Sequence, residues 1–71
     1  MNGILEGLDT TGKIKVLMAA KGITQVDLSK VTGLSLGTIS NRFDPEKKDQ
    51  WRMDELKKIV DAYQVELTDI I

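Results

Sequence analysis

The sequence predicts an all-α fold, a small bundle of about five helices, and three observations carry that reading. No segment shows the alternation of apolar and polar residues, bounded by hairpin turns, that marks strands. Apolar residues recur instead at helical spacing, most cleanly at Leu56, Ile59, Val60 and Tyr63, which fall at i, i+3, i+4 and i+7. Gly22, Gly33 and Pro45 stand between such runs, where helices have to end.

The 71 residues suffice for one small domain, which buries only about 60% of its unfolded surface and so has a thin stability margin. The chain has neither cysteine nor histidine, so disulfides and thiolate- or imidazole-held metals are excluded and aliphatic packing must supply the core. No apolar stretch approaches the roughly 20 residues of a membrane span. The opening "MNGILEGLDT" has no basic segment ahead of its apolar residues and does not read as a signal peptide. A soluble cytoplasmic protein is therefore expected. The formal net charge is −1, unevenly spread. Residues 21–43 are locally positive through Lys21, Lys30 and Arg42 against Asp27, whereas residues 53–71 are acidic. A positive middle segment permits a phosphate-facing surface despite the overall balance.

Residues 1–9 mix glycine with scattered apolar side chains and read as an N-terminal arm, leaving 10–71 as the domain. Thr10 or Thr11 can cap a first helix running to about Lys21, with Ile14, Leu17 and Met18 on one face. Gly22 ends it in the left-handed conformation. Thr24 restarts the chain, and Asp27 three residues on completes a weaker form of the capping box. The second helix, about 25–31, is barely two turns long and buries Leu28 and Val31. Gly33 follows where the chain must turn with positive φ. Ser35 caps a third helix over about 36–43, with Ile39 and Phe43 inward. It stops by Asp44, because a residue before proline disfavours helical geometry. The polar connection "DPEKKDQWR" leads to a fourth helix from about Met53 to Tyr63, and a last turn or two carries Leu67, Ile70 and Ile71. Trp51 in that connection reads as a lid on the fourth helix, with an interface anchor as the other reading.

Two short helices joined by a tight glycine-bearing turn form a helix-turn-helix. In that geometry the first helix of the pair crosses the DNA backbone and braces the second, whose N-terminal residues enter the major groove. Leu28, Ser29, Val31, Leu34 and Ile39 are the residues expected to face inward. Ser29 is small enough for a close crossing of the pair.

The run "KGITQVDLSKVTGLSLGTISNRF" resembles the lambda-repressor-like, Xre-type helix-turn-helix family of bacterial and phage regulators. The resemblance rests on Gly22, Thr24, Gln25, Gly33 and Ile39, extends through the closing "LKKIVDAYQVELTDII", and covers residues 14–71. Two departures are Ser29, where the family often has alanine, and Asp44-Pro45 with a longer polar loop, where it commonly has Asn-Gly. The resemblance implies sequence-specific binding of double-stranded DNA by a repressor-type regulator that acts as a homodimer on paired half-sites.

It also implies the site. Gln25 is placed at a phosphate contact, beside the free amides of the second helix. Leu36, Gly37 and Asn41 fall at base-reading positions, where Asn41 can pair bidentately with adenine and Leu36 can touch a thymine methyl. Gly37 costs its helix about 1 kcal/mol relative to alanine, tolerable where it allows close approach to the groove. Thr38 and Ser40 are candidate donors, and the caps Thr24 and Ser35 complete the surface. Arg42, Lys47 and Lys48, with Arg52 nearby, are candidates for phosphate neutralisation, which positions the protein without specifying sequence.

Enzyme readings find little support. Only carboxylates, lysines and hydroxyls remain for chemistry, and a chain this short is not expected to form a pocket. Asp44, Glu46 and Glu55 match positions 1, 3 and 12 of a calcium loop, but Lys48 and Asp49 stand where a ligand and a glycine are needed. No cofactor, membrane or small-molecule substrate is expected. The alternative function is a helical protein-binding adaptor, such as an antirepressor or toxin-neutralising partner, favoured by the acidic balance and by the apolar Leu36.

Overall fold

The computed structural model describes residues 9–47 and 50–71. Residues 1–8 of the expected arm, and Lys48, lie outside the described residues. The chain forms four α-helices, α1 (Thr10–Lys21), α2 (Gln25–Thr32), α3 (Leu36–Phe43) and α4 (Met53–Tyr63), followed by a 3₁₀ turn over Leu67–Asp69. The all-α architecture and the limits of α3 and α4 match the sequence reading. The expected last helix is a single tight turn over Leu67–Asp69, after Gln64 ends α4 in the left-handed conformation.

Each helix is punctuated by local chemistry. The cap of α1 is Asp9 rather than Thr10 or Thr11: its Oδ1 accepts from the Gly12 amide at 2.8 Å. Thr11 is left to work elsewhere. Gly22 closes α1 with φ 67°, and its amide donates to the Met18 carbonyl. At α2 the Thr24 hydroxyl accepts from the Asp27 amide at 3.1 Å, while the Asp27 carboxylate accepts from the Thr24 amide at 2.9 Å. This reciprocal pair is the expected capping box, and the Thr24 bonds hold the Asp27 carboxyl below its usual range.

Ile14, Ile23, Leu28, Ile39, Leu56, Ile59, Val60 and Ile70 form the core. Leu17, Met18, Leu34, Phe43, Trp51, Tyr63, Val65 and Leu67 pack against it. In α2 the second buried position is Thr32, not Val31, which is half-buried. A threonine fits there because its hydroxyl donates to the Leu28 carbonyl at 2.7 Å, so no polar atom is orphaned.

The turn from α2 to α3 is tied down by polar groups on both sides. Ser29 is half-buried, and its hydroxyl donates to the Leu34 carbonyl at 2.6 Å. Thr32 accepts from the Leu34 amide at 3.2 Å. From α4, Lys58 Nζ reaches the Thr32 carbonyl at 3.4 Å. Ser29 therefore serves as a tie across the turn, beyond the close helix crossing expected of it. Gly33 takes φ 78° at the centre.

Two glycines in this helix pair are expected to respond in opposite ways to alanine. Gly33 has open space for a Cβ, but its positive φ penalises any L side chain, so Gly33→Ala should destabilise by about 1 kcal/mol. Gly37 is helical, and an added Cβ would meet only Ser35 Oγ at 3.9 Å. Gly37→Ala should stabilise by about 0.5–1 kcal/mol. Thermal unfolding followed by circular dichroism gives both signs; a lowered midpoint for Gly37→Ala would show that the fold itself needs that glycine.

Candidate nucleic-acid interface

α3 turns one side to the core and leaves the other open. At about 100° per residue, Leu36, Gly37, Ser40 and Asn41 span an arc of about 140° on one side of the helix, and Ile39 points the other way. Ile39 is fully buried, whereas Leu36, Gly37 and Ser40 are exposed and Asn41 is half-buried. The Asn41 side-chain amide has no hydrogen-bond partner among the described residues.

The N-terminal turn of α3 is organised by Ser35. Its Oγ accepts from the Thr38 amide at 3.1 Å and donates to Thr38 Oγ1 at 2.9 Å. Thr38 is thus half-buried and engaged with the cap rather than fully displayed. The amides of Leu36 and Gly37 have no acceptor among the described residues, since the helical ladder begins with the Ile39 amide on the Ser35 carbonyl. The same holds in α2 for the amides of Gln25 and Val26, because Thr24 satisfies Asp27 and the Leu28 amide bonds the Thr24 carbonyl. Each helix of the pair therefore presents two unpartnered N–H groups at its positive end, an arrangement suited to phosphate oxygens. Thr24 is exposed and Gln25 half-buried beside them.

The basic residues divide. Lys47 is exposed in the turn after α3, its amide bonded to the Asp44 carbonyl at 3.1 Å, and Arg52 is exposed before α4. Arg42 turns inward instead. Its Nε donates to Glu55 Oε1 at 3.3 Å and a terminal nitrogen to Oε2 at 3.1 Å, with side-chain exposures of 12% and 5% for the two residues. Glu55 Oε1 also accepts from the Arg52 amide at 3.0 Å. The guanidinium expected to face phosphate is instead the joint between α3 and α4. The pattern allowed this to be found: Arg42 lies three residues after Ile39, on the buried side of α3, and Glu55 lies four before Ile59, on the buried side of α4.

Trp51 makes a second joint that the sequence reading placed differently. Its ring meets Phe43 edge-on at 5.4 Å between centroids, and its Nε1 donates to Thr11 Oγ1 at 3.2 Å. It therefore covers the junction of α1 and α3, not α4 alone. At the C-terminal end, Ile70 is buried and Leu67 packs on the core, so Ile71 is the exposed remnant of the apolar stripe there. Among the described residues, no helix is long and apolar enough to cross a membrane.

The family model described as the Cro/C1-type HTH DNA-binding domain matches residues 13–71 of this chain. Neither a curated protein nor a solved structure matches it.

The Arg42–Glu55 joint has a pH signature. Burial pushes the Glu55 carboxyl up, but the bonds from Arg42 and the Arg52 amide, reinforced by both positive charges, outweigh it and hold the group below its usual range. A folded-state pKa lowered in this way contributes stability above the ordinary glutamate value of about 4.3, and the contribution is lost as pH falls through the folded value. Glu55→Gln should destabilise by about 1–3 kcal/mol at neutral pH, the worth of hydrogen bonds to a charged group. The gap in thermal midpoint between the native chain and Glu55→Gln should shrink below about pH 4 as the carboxyl protonates. A gap that stays constant down to pH 3 would show that the charge does not hold this joint.

Proposed function

The chain belongs to the Cro/C1-type helix-turn-helix DNA-binding family, and from that premise we propose that it is a sequence-specific repressor-type regulator of bacterial or phage origin that reads the major groove through α3. The family supports double-stranded DNA binding and transcription regulation, and its fold is a non-enzymatic one. The observation that carries the finer reading is the outward arc of α3. Leu36, Gly37, Ser40 and Asn41 make up an unused helix face, wide enough to lie along base edges.

Within this reading the helix ends hold the protein on the backbone. Thr24, Gln25 and the unpartnered amides of α2 face phosphate, as do Ser35 and the first amides of α3. Lys47 supplies charge at the far end of α3, and Lys48, next to it in sequence and outside the described residues, adds a second cation. Arg42 contributes by fixing the axial rotation of α3 rather than by touching phosphate. Asn41 reads adenine, and Thr38 lends its remaining hydroxyl proton to a base edge or phosphate. An eight-residue helix covers only a few base pairs, so two copies related by a two-fold axis engage half-sites about 34–36 Å apart.

Two substitutions separate reading from positioning. Asn41→Ala should lose preference at one base pair, worth about 1–3 kcal/mol, and leave affinity for scrambled duplex nearly intact. Lys47→Ala should weaken all duplexes alike and lower the salt slope by about 1. Both are titrated against a site selected from randomised duplexes and against a scrambled control at several salt concentrations. Equal loss on both duplexes for Asn41→Ala would remove that residue from base reading. Binding that neither substitution changes would move the DNA surface elsewhere, and a native chain that shifts no duplex even at low salt would favour the protein-binding adaptor.

A further inference from the structure

The tip of α3 combines two residues that the fold alone does not ask for. Leu36 is an aliphatic side chain left 47% exposed at the first helical position. Gly37 follows it in ordinary helical geometry with room for a Cβ, although glycine is the poorer helix former. The polar groups beside them are largely committed. Ser35 Oγ accepts from the Thr38 amide and shares a proton with Thr38 Oγ1, so only one hydroxyl proton is left over between the two side chains. The unpartnered amides of Leu36 and Gly37 point along the helix axis, towards backbone phosphate rather than sideways to a base edge.

What this tip offers a base pair is therefore an apolar side chain with an empty position next to it. In the major groove the base edges present hydrogen-bond donors and acceptors, small C–H groups, and one methyl, the C5-methyl of thymine. Leucine cannot satisfy the donors or acceptors and would leave them dry. It gains from contact with a methyl. The missing Cβ at Gly37 lets the helix settle close enough for that contact.

We infer that Leu36, admitted to the groove by Gly37, recognises the 5-methyl group of a pyrimidine and not its hydrogen-bonding edge. The inference rests on α3 being the groove-reading helix. It follows that 5-methylcytosine substitutes for thymine at this position, while uracil and unmodified cytosine do not. The binding of this chain is then sensitive to cytosine methylation at one position in each half-site.

The test uses the full chain and duplexes built on its selected site. Each dT is replaced in turn by dU. At the sensitive position the pair is then rebuilt with cytosine or 5-methylcytosine opposite guanine. The expected result is one position per half-site where dU weakens binding about fourfold, the worth of one buried methyl. There, 5-methylcytosine should bind within about twofold of dT, and cytosine about as weakly as dU. Leu36→Ala, at a half-exposed position, should fold normally by circular dichroism and bind all four duplexes alike. Leu36→Met, which keeps an apolar side chain, should retain the discrimination. Insensitivity to dU at every position overturns the inference, as does 5-methylcytosine binding no better than cytosine, or discrimination that survives in Leu36→Ala. In each of those cases the chain still binds its site, so the proposed function stands. Failure to bind any duplex overturns both.

Discussion

The carboxylate of Glu55 is the contact on which the orientation of α3 depends. α3 has eight residues and one fully buried side chain, Ile39. Phe43 packs on the core beside it, but apolar contact is non-directional and restrains the axial rotation of so short a helix only weakly. Hydrogen bonds are directional, and those to charged groups are stronger. Glu55 accepts from Arg42 on α3 and from the Arg52 amide at the start of α4, so it fixes the C-terminal end of α3. Ser29 and Thr32 bond the chain at Leu34, just before α3 begins, and Lys58 braces the Thr32 carbonyl from α4. Held at both ends, α3 has one face inward and one face out. The identity of the outward residues follows from these ties as much as from the core.

This arrangement has an electrostatic consequence. Arg42 is the nearest arginine to the outward arc, and its charge is neutralised inside the protein by Glu55. The locally positive character of residues 21–43 is therefore weaker at the surface than the sequence suggests. A chain with net charge −1 that also turns a cation inward has little long-range attraction for a polyanion. Whatever selectivity it has must come from short-range contacts made by a well-oriented helix, which gives the polar ties at the ends of α3 their importance.

Most of the fold was legible because its boundaries are set by local chemistry. Gly22 and Gly33 take the left-handed conformation that helix ends require, Thr24 and Asp27 form a reciprocal cap, and Pro45 excludes helix just after α3. What escaped depends on partners distant in sequence. Thr11 looks like a cap until its hydroxyl is needed by Trp51, 40 residues away, and Asp9 takes the cap instead. Trp51 sits in a polar stretch and gives no periodic signal of what it covers. Val31 and Thr32 compete for one buried place. Hydrophobicity favours valine, but the helix phase that brings Leu28 inward also brings in Thr32, four residues on, whose hydroxyl can be satisfied by its own helix. The candidate site was legible as a helix face. The pairing of Arg42 with Glu55 was missed because its charge was weighed ahead of its phase relative to Ile39.

Among the residues that break the apolar-in, polar-out pattern here, two groups differ in a way that bears on function. Arg42 and Glu55 are charged residues on buried faces, and Thr32 is a hydroxyl in the core. Each finds its partner within the chain, so each departure is explained by the fold. Leu36 and Gly37 break the pattern in the opposite direction, one as an exposed aliphatic and the other as a glycine in a regular helical turn, and nothing in the described chain answers either. A small domain with a thin stability margin does not gain from such choices internally. A departure resolved inside the molecule is structural. One that stays unresolved at the exposed end of a rigidly held helix points to a surface outside it.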